Sequence, residues 1–483
     1  MKFYYYDIIF LIAFVLFLII FFFARRKNWK WEKPYFLYRT KLGLEAIDWL
    51  AKKHPKTLKV ISFFSIGFGY LLMAGMLYML GQIVYIFVSR PEIISAAKIP
   101  PLMPLIPYLP EIFKINYLPP FYFTYWILAI AIIAVSHEFA HGVFARLNKI
   151  RVKSTGFGFL GPFLAAFVEP DEKQIEKKSI YAQLSVLTAG SFSNLLMTII
   201  FFIIMALFFF AAFAPSGALF NAYMPGVISI SSINQIDGIN ITGLSNQQII
   251  SSISSAKTFN SGFVDNLTRI KTANSSYLIP KEFLLNYYNS SDYTDAVVFI
   301  DAPAINVGLR GAITEINNKK IRSYMDIGDK IKKYSPGDKA IIKTEYNGLQ
   351  EEYEIVFSAD PQNSSKPFLG IGIYSVSGKG IIGKVVSVAK FFRNPTTYYK
   401  PRFDGNFAEF IDNLLWWIVV INISVALFNM LPVAFFDGGR VFYLTILAIT
   451  KSENASKKIF AAASYAIVLV FVFLMILWAF RLF

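Results

Sequence analysis

The chain has 483 residues, of which 55% are hydrophobic, only 16% are charged and none is Cys. Disordered chains are less apolar and soluble enzymes carry about 25% charged residues, so this composition excludes both classes. A net charge of +16 would suit a nucleic-acid-binding protein, but in a membrane protein Lys and Arg concentrate in cytoplasmic loops, and we expect no nucleic acid as a partner.

Long apolar segments predict about six transmembrane helices, because a spanning helix needs about 20 mostly apolar residues. The segments are 5–24, 58–89, 121–146, 181–214, 411–435 and 458–480. The first is interpreted as a retained anchor, since no small-residue cleavage site follows it. The apolar stretch 436–450 either continues the fifth helix or makes a partial turn into the membrane.

Basic loops predict the orientation of a multi-pass protein in the cell membrane. Lys and Arg are concentrated in 25–57, 146–153 and 451–458, which share one side if the spans alternate. The positive-inside rule makes that side cytoplasmic. The segment 379–402 is also basic but is assigned outside, because charges after a long translocated domain count for less.

Two outer segments differ from the spans in composition. Residues 90–120 contain eight prolines, which break helices, and form either a rigid connector or a gate at the outer mouth. Residues 215–378 are polar, and too long for a loop without structure, so they predict an extracytoplasmic, β-rich α+β domain or two related modules.

The predicted boundaries are 1–120 for the N-terminal helices and the outer segment, 121–214 for a first core part, 215–378 for the inserted domain, 379–450 for an amphipathic linker and third core helix, and 451–483 for the last helix.

His137-Glu138-Phe139-Ala140-His141 lies within an apolar segment and contains two of the three histidines of the chain. Residues at i and i+4 share one helix face, so both imidazoles can bind one metal ion. A carboxylate beside the first ligand can take a proton from metal-bound water, as in zinc hydrolases. His54, in a basic loop, is interpreted as a solvated surface residue.

Catalytic zinc usually has three protein ligands, and the shortage of His and Cys leaves a carboxylate as the third. Asp437, before Gly438 and Gly439, lies at the same predicted depth as the two histidines. Asp412, a weaker candidate, lies at the opposite, outer end of the fifth span.

Asn194 either packs helices together or positions a peptide carbonyl. Residues 155–163 form either a loop or a membrane-dipping hairpin with an edge strand.

Together these residues resemble the site-2 protease family of intramembrane zinc metalloproteases. The matching motifs are the His-Glu-x-x-His sequence, Gly190 to Asn194, and Asn429-x-x-Pro432 leading to Asp437-Gly438. In the insert, residues 303–338 resemble a PDZ module, which the family's bacterial and archaeal branch commonly carries. Ser191, Ala434 and Phe436 depart from the family's usual residues, and none of them is a metal ligand.

The resemblance implies that His137, His141 and Asp437 bind Zn²⁺, that Glu138 is the general base, and that Asn194 and Asn429 support the substrate or the transition state. It implies cleavage of membrane proteins within or near their transmembrane helices, after a first cut outside. The basic loops predict that the active site lies toward the cytoplasmic side of the bilayer. Two alternatives are a metalloprotease acting at the membrane face and a non-catalytic metal-binding membrane protein. The sequence leaves the substrate, the trigger and the oligomeric state open.

Overall fold

The computed structural model describes residues 3–26, 29–32, 35–90, 100–113, 115, 118–160, 163–290, 293–373 and 392–482. The chain divides into two compact units, Met1–Phe208 with Asn406–Phe483, and Phe209–Gly405. We call them the membrane unit and the insert unit. Part of the predicted Pro-rich segment (91–99, 114 and 116–117) and part of the predicted linker (379–391) lie outside the described residues.

Six helices in the described chain are long and apolar enough to cross a membrane, which confirms the predicted number. Because their apolar residues surround the helix, they suit burial in lipid. They are α1 (Phe3–Ala24), α3 (Pro55–Ser89), α5 (Phe123–Leu147), α7 (Ile180–Ala212), α12 (Gly405–Asn429) and α14 (Glu453–Leu482). Shorter helices of the membrane unit are α2 (Leu44–Lys53), α4 (Leu109–Ile112), α6 (Glu172–Glu176) and α13 (Asp437–Thr450).

The fifth span differs from its prediction at both ends. Helix α12 begins at Gly405 rather than at residue 411 and ends at Asn429 rather than at residue 435. A non-helical segment leads from it to α13. Pro432 explains the early end, since proline disfavours helical backbone at the residue before it and removes a backbone donor. The stretch 436–450 therefore does not continue the fifth helix: α13 is a separate helix that begins at Asp437.

A four-stranded antiparallel sheet lies in the membrane unit, in the order β1-β2-β3-β4. Its strands are β1 (Trp29–Glu32), β2 (Tyr35–Thr40), β3 (Val152–Leu160) and β4 (Phe163–Pro170). The hairpin suggested for 155–163 is present as β3 and β4. Strands β1 and β2 form a hairpin within the segment interpreted only as a basic loop, and β2 joins the sheet through β3, which is remote in sequence. Strands β1 and β4 are the edges of the sheet among the described residues.

The insert unit is β-rich, and its described residues contain four short α-helices. Its strands are β5 (Phe213–Ala218), β6 (Ala222–Tyr223), β7 (Pro225–Ser229), β8 (Gln235–Ile236), β9 (Ile239–Asn240), β10 (Phe259–Ser261), β11 (Val264–Lys271), β12 (Ser276–Pro280), β13 (Asp295–Ile300), β14 (Ala312–Ile316), β15 (Lys319–Lys320), β16 (Lys339–Tyr346), β17 (Leu349–Val356), β18 (Ser358–Asp360), β19 (Asn363–Phe368), β20 (Ile371–Gly372) and β21 (Thr397–Pro401). Its helices are α8 (Asn246–Ser255), α9 (Lys281–Asn289), α10 (Pro303–Asn306) and α11 (Tyr324–Ile331).

Two large sheets and two hydrophobic cores organise the described part of the insert unit, beside the two-stranded sheets β18-β19 and β20-β6. One sheet has the order β17-β16-β14-β5-β21, with β15 on β14, and the other β7-β13-β12-β11-β8-β9, with β10 on β11. The first core contains Ile313 and Ile342, and the second contains Ile236 and Ile279. The fold class predicted from sequence, a polytopic α-helical membrane protein with an inserted α+β domain, is confirmed.

Candidate metal centre

Two imidazoles meet on one face of α5. His137 and His141 are one helical turn apart, and their Nε2 atoms lie 3.0 Å apart. The His141 ring is held by Val186 of α7, whose carbonyl oxygen lies 2.7 Å from Nδ1. Because a carbonyl only accepts, Nδ1 carries the proton and donates. The Nε2 atom of His141 is then the nitrogen with a free lone pair.

Asp437 completes the group from the first turn of α13. Its Oδ2 lies 3.4 Å from His137 Nε2 and 3.3 Å from His141 Nε2. Among the described residues, these three form the group of His, Cys, Asp or Glu whose ligand atoms all lie within 4.8 Å of one another. Asp412, the alternative third ligand, is buried in α12 and is not in this group. His54 is exposed at the junction of α2 and α3.

The spacing of the three ligand atoms fits zinc. Two tetrahedral ligands bound at about 2.0–2.1 Å lie about 3.3 Å apart. The observed separations run from 3.0 to 3.4 Å. Two neutral imidazoles and one carboxylate are also a donor set that zinc accepts, and they leave a fourth position for water or substrate.

Asn194 of α7 contacts the ring of the first histidine. Its amide nitrogen Nδ2 lies 3.1 Å from His137 Nδ1, while its Oδ1 is buried without a hydrogen-bond partner among the described residues. If Nε2 binds a metal ion, Nδ1 must carry the proton, and a proton on Nδ1 needs an acceptor. A 180° flip of the side-chain amide presents Oδ1 to Nδ1–H of His137 and gives the unpaired oxygen a donor. The pair therefore fits a His137 that binds a metal ion through Nε2.

Gly190, one turn before Asn194 on α7, brings the backbone of that helix against both rings. A β-carbon at this position would lie 2.5 Å from His137 Nε2 and would also contact His141 Nε2. Real β-carbons do not approach that closely, so no side chain fits without displacing a ligand. The sequence showed Gly190 only as part of a small-residue motif, and its contact with the histidines was missed.

Asn429 and Glu138 flank the metal ligands on two sides. Asn429, the last residue of α12, has its Nδ2 3.3 Å from His137 Nε2. Glu138 Oε2 accepts a hydrogen bond of 2.9 Å from the backbone N–H of Val168 on β4. That bond connects the HExxH helix to the edge strand of the sheet.

Glu138 also lies at one wall of an apolar groove of about 680 Å³. The groove is lined by residues of α1, α5 and the sheet, and almost all of them are apolar. They include Phe14, Phe17, Phe21, Ala131, Ala134, Phe157, Ala166 and Val168. An extended apolar segment lying here would run along the open side of β4, next to a carboxylate.

Comparison with known families gives one decisive match. The model of peptidase family M50 matches residues 125–475, which include the HExxH helix, α7, α12 and Asp437. The chain belongs to peptidase family M50. This is the site-2 protease family, so the resemblance predicted from the motifs is confirmed.

Membership in M50 makes the chain a membrane metalloprotease, a class whose members are typically zinc-dependent and act on membrane proteins. A solved structure of the PDZ domain of an SdrC-like protein from Listeria monocytogenes also matches, at 30% identity. The match covers 15% of this chain and 75% of the PDZ-domain chain, with a TM-score of 0.14. No curated protein matches the sequence.

Proposed function

We propose that this M50 protein is an intramembrane zinc metalloprotease that hydrolyses peptide bonds within or near the transmembrane helices of its substrates. The observation that carries the proposal is the convergence of His137, His141 and Asp437 next to Glu138. Both histidines and Glu138 lie on α5, a helix long and apolar enough to cross a membrane. A charged or metal-binding group inside a membrane is costly, and it is retained for function.

His137, His141 and Asp437 would hold the zinc ion. When bound, zinc supplies a Lewis acid that polarises the scissile carbonyl and lowers the pKa of water to about 7. Glu138 takes the proton of the attacking water on its carboxylate and delivers it to the leaving amine. Val168 N–H fixes the carboxylate, so Glu138 needs little reorganisation during the reaction. The Asn429 amide donates to the carbonyl oxygen as negative charge develops there.

The substrate must be unwound before it can react, since a helical carbonyl is already hydrogen-bonded and shielded. Among the described strands β4 pairs with β3 alone, and its Ala166 and Val168 line the groove that leads to Glu138. We infer that an unwound substrate segment adds to the open edge of β4, because main-chain hydrogen bonds hold a peptide whatever its side chains.

Orientation and the role of the insert belong to the same proposal. The basic loops support an active site toward the cytoplasm and an extracytoplasmic insert unit. A PDZ-like insert on that side would act as a size filter, admitting substrates whose outer part has been shortened by a first cut.

The deciding experiment compares wild type with Glu138→Gln on a tagged membrane substrate, with bound zinc measured in both. Glutamine keeps the shape of the side chain but cannot take a proton. We expect cleavage to fall by at least about 100-fold while zinc content is unchanged. Glu176→Gln, on the short helix α6, is the matched control and should cleave normally. Full cleavage by Glu138→Gln would overturn the proposal.

Asp437→Ala tests the ligand set. We expect this variant to lose both zinc and cleavage. An Asp437→Ala protein that keeps its zinc would favour a metalloprotease with a different third ligand.

A further inference from the structure

Asp7 is a carboxylate near the start of an apolar helix, and the proposed mechanism does not use it. It is the buried residue of α1, with 1% of its surface exposed, whereas the other residues of that helix are partly or largely exposed. Burying a carboxylate in a membrane helix is costly unless every oxygen is hydrogen-bonded. A residue placed there at such cost needs a specific role.

Four hydrogen bonds converge on this carboxylate. Asp7 Oδ1 accepts from the backbone N–H of Thr124 at 2.8 Å and from its hydroxyl at 2.5 Å. Asp7 Oδ2 accepts from the backbone N–H of Phe123 at 2.9 Å and from the Tyr108 hydroxyl at 2.5 Å. Each carboxylate oxygen therefore accepts two hydrogen bonds.

Two of the donors are the first backbone N–H groups of α5, the helix that carries His137, Glu138 and His141. Those groups have no partner inside their own helix, and the residue at the N-cap of α5, Tyr122, makes no side-chain capping bond. Asp7 thus supplies the cap from another helix. Its negative charge also lies at the positive end of the α5 dipole, which strengthens the contact.

The same contact fixes one end of α1 over the groove. Near Asp7, Phe10 and Phe14 pack on Phe123, with ring centroids 5.7 and 5.4 Å apart. At its other end α1 meets the sheet, where Phe21 lies 5.9 Å from Phe157. Between the two ends, Phe14 and Phe17 form a wall of the groove that leads to Glu138. The separation of α1 from α5 is the width of that groove.

We propose that Asp7 is a positioning residue, which caps α5 and holds α1 at the distance that sets the width of the substrate groove. The inference rests on the proposed function for its effect on cleavage, but the distance between the two helices can be measured without any substrate.

The first measurement is that distance. The chain has no Cys, so Val15→Cys and Leu128→Cys, on exposed positions of α1 and α5, give two spin labels on an otherwise unlabelled protein. Asp7→Asn replaces one acceptor oxygen by a donor that faces donors. We expect the label distance to be narrowly distributed in the parent and broadened in Asp7→Asn. An unchanged distribution would overturn the proposal.

The second measurement is kinetic, and it uses the milder variant Tyr108→Phe, which removes one of the four bonds. We expect KM for a membrane substrate to rise by about threefold in Tyr108→Phe and by about tenfold in Asp7→Asn, with kcat and zinc content nearly unchanged. Tyr70→Phe is the matched control, because it removes a similar, partly buried hydroxyl contact, to Thr445, away from α1. Equal effects of Tyr70→Phe and Tyr108→Phe would show a merely structural role and overturn the proposal.

The two proposals fail separately. If Glu138→Gln cleaves normally, the proposed function fails whatever the label distances are. If wild type cleaves and Glu138→Gln does not, but Asp7→Asn leaves both distance and KM unchanged, only the role of Asp7 is wrong.

Discussion

The backbone of α7 approaches the metal ligands at Gly190 so closely that a β-carbon would lie 2.5 Å from His137 Nε2. Gly190→Ala should therefore displace a ligand nitrogen and lower zinc affinity by at least about 100-fold. The amount of zinc retained after dialysis against a chelator measures this loss of affinity. Gly67→Ala on α3 is the matched control, since a β-carbon there meets nothing within 4 Å. Normal zinc binding by Gly190→Ala would show that the helices can separate at this point.

Asn194 gives a second prediction at the residue scale. If its amide oxygen accepts from His137 Nδ1–H, then Asn194→Asp keeps an acceptor and should keep its zinc. Asn194→Ala leaves the ring without a partner and should weaken zinc binding by about tenfold to 100-fold. Competition with a fluorescent chelator measures both affinities. The opposite order, with alanine tolerated and aspartate not, would mean that the amide donates to the ring.

The sequence could predict the metal-binding residues better than their contacts. The i, i+4 spacing of His137 and His141 requires only a helix, and the shortage of other ligands directed attention to Asp437. The contact of Asn194 with a ring nitrogen was not predictable, because a helix position does not show which atom of a neighbouring helix an amide meets. Asp7 also escaped notice, since its donors lie more than a hundred residues away.

At the scale of elements, hydropathy predicted the six long helices because lipid selects for apolar residues around the whole helix. The sheet β1–β4 was predicted only in its β3–β4 hairpin, which is local in sequence. Strands β1 and β2 are short and contain charged residues, and the pairing of β2 with β3 spans more than a hundred residues. Neither a short charged hairpin nor a non-local pairing leaves a periodic signal in so few residues.

Glu169 of β4 links that strand to β2 and gives a pH prediction. Burial raises the pKa of Glu169, but hydrogen bonds from Ser154 and Arg39 outweigh it and hold the pKa below its usual value. A carboxyl whose folded pKa is lowered stabilises the fold above its unfolded pKa of about 4.3, and this stability is lost as the pH falls through the folded pKa.

Acidification from about pH 7 to about pH 3.5 should therefore lower the Tm of the wild type more than that of Glu169→Gln. Glutamine keeps the shape of the side chain but has no charge to lose. Thermal unfolding of the whole protein, followed by tryptophan fluorescence at both pH values, measures the difference. Equal losses of Tm in the two proteins would rule out a contribution from Glu169.

At the scale of the whole molecule, the chain enters the insert unit through one strand and leaves it through the strand paired with it. Strand β5 follows α7, strand β21 precedes α12, and Ala218 pairs with Thr397. An Asn-Gly turn joining Ala218 to Thr397 would replace residues 219–396 by a two-residue hairpin loop. The strand pair that joins the two membrane helices would remain.

We expect this shortened protein to bind zinc and to cleave both pre-shortened substrates and substrates with an intact outer domain. Wild type should cleave only the shortened ones if the insert excludes bulky substrates, as the proposed function requires. Adding Glu138→Gln to the shortened chain is the control that assigns the new cleavage to the same site. If intact substrates remain uncut while shortened ones are processed, the insert is not the size filter.

The groove beside Glu138 is lined almost wholly by apolar side chains and is walled by two membrane helices. In a bilayer we expect an acyl chain of the surrounding lipid to fill it when no substrate is bound. A substrate side chain that displaces lipid gains little from the hydrophobic effect, because hydrocarbon is as apolar as leucine. If the proposed function holds, we therefore expect selection among substrates to depend on how easily each helix gives up its own hydrogen bonds, with lipid acyl chains competing with every substrate for the groove.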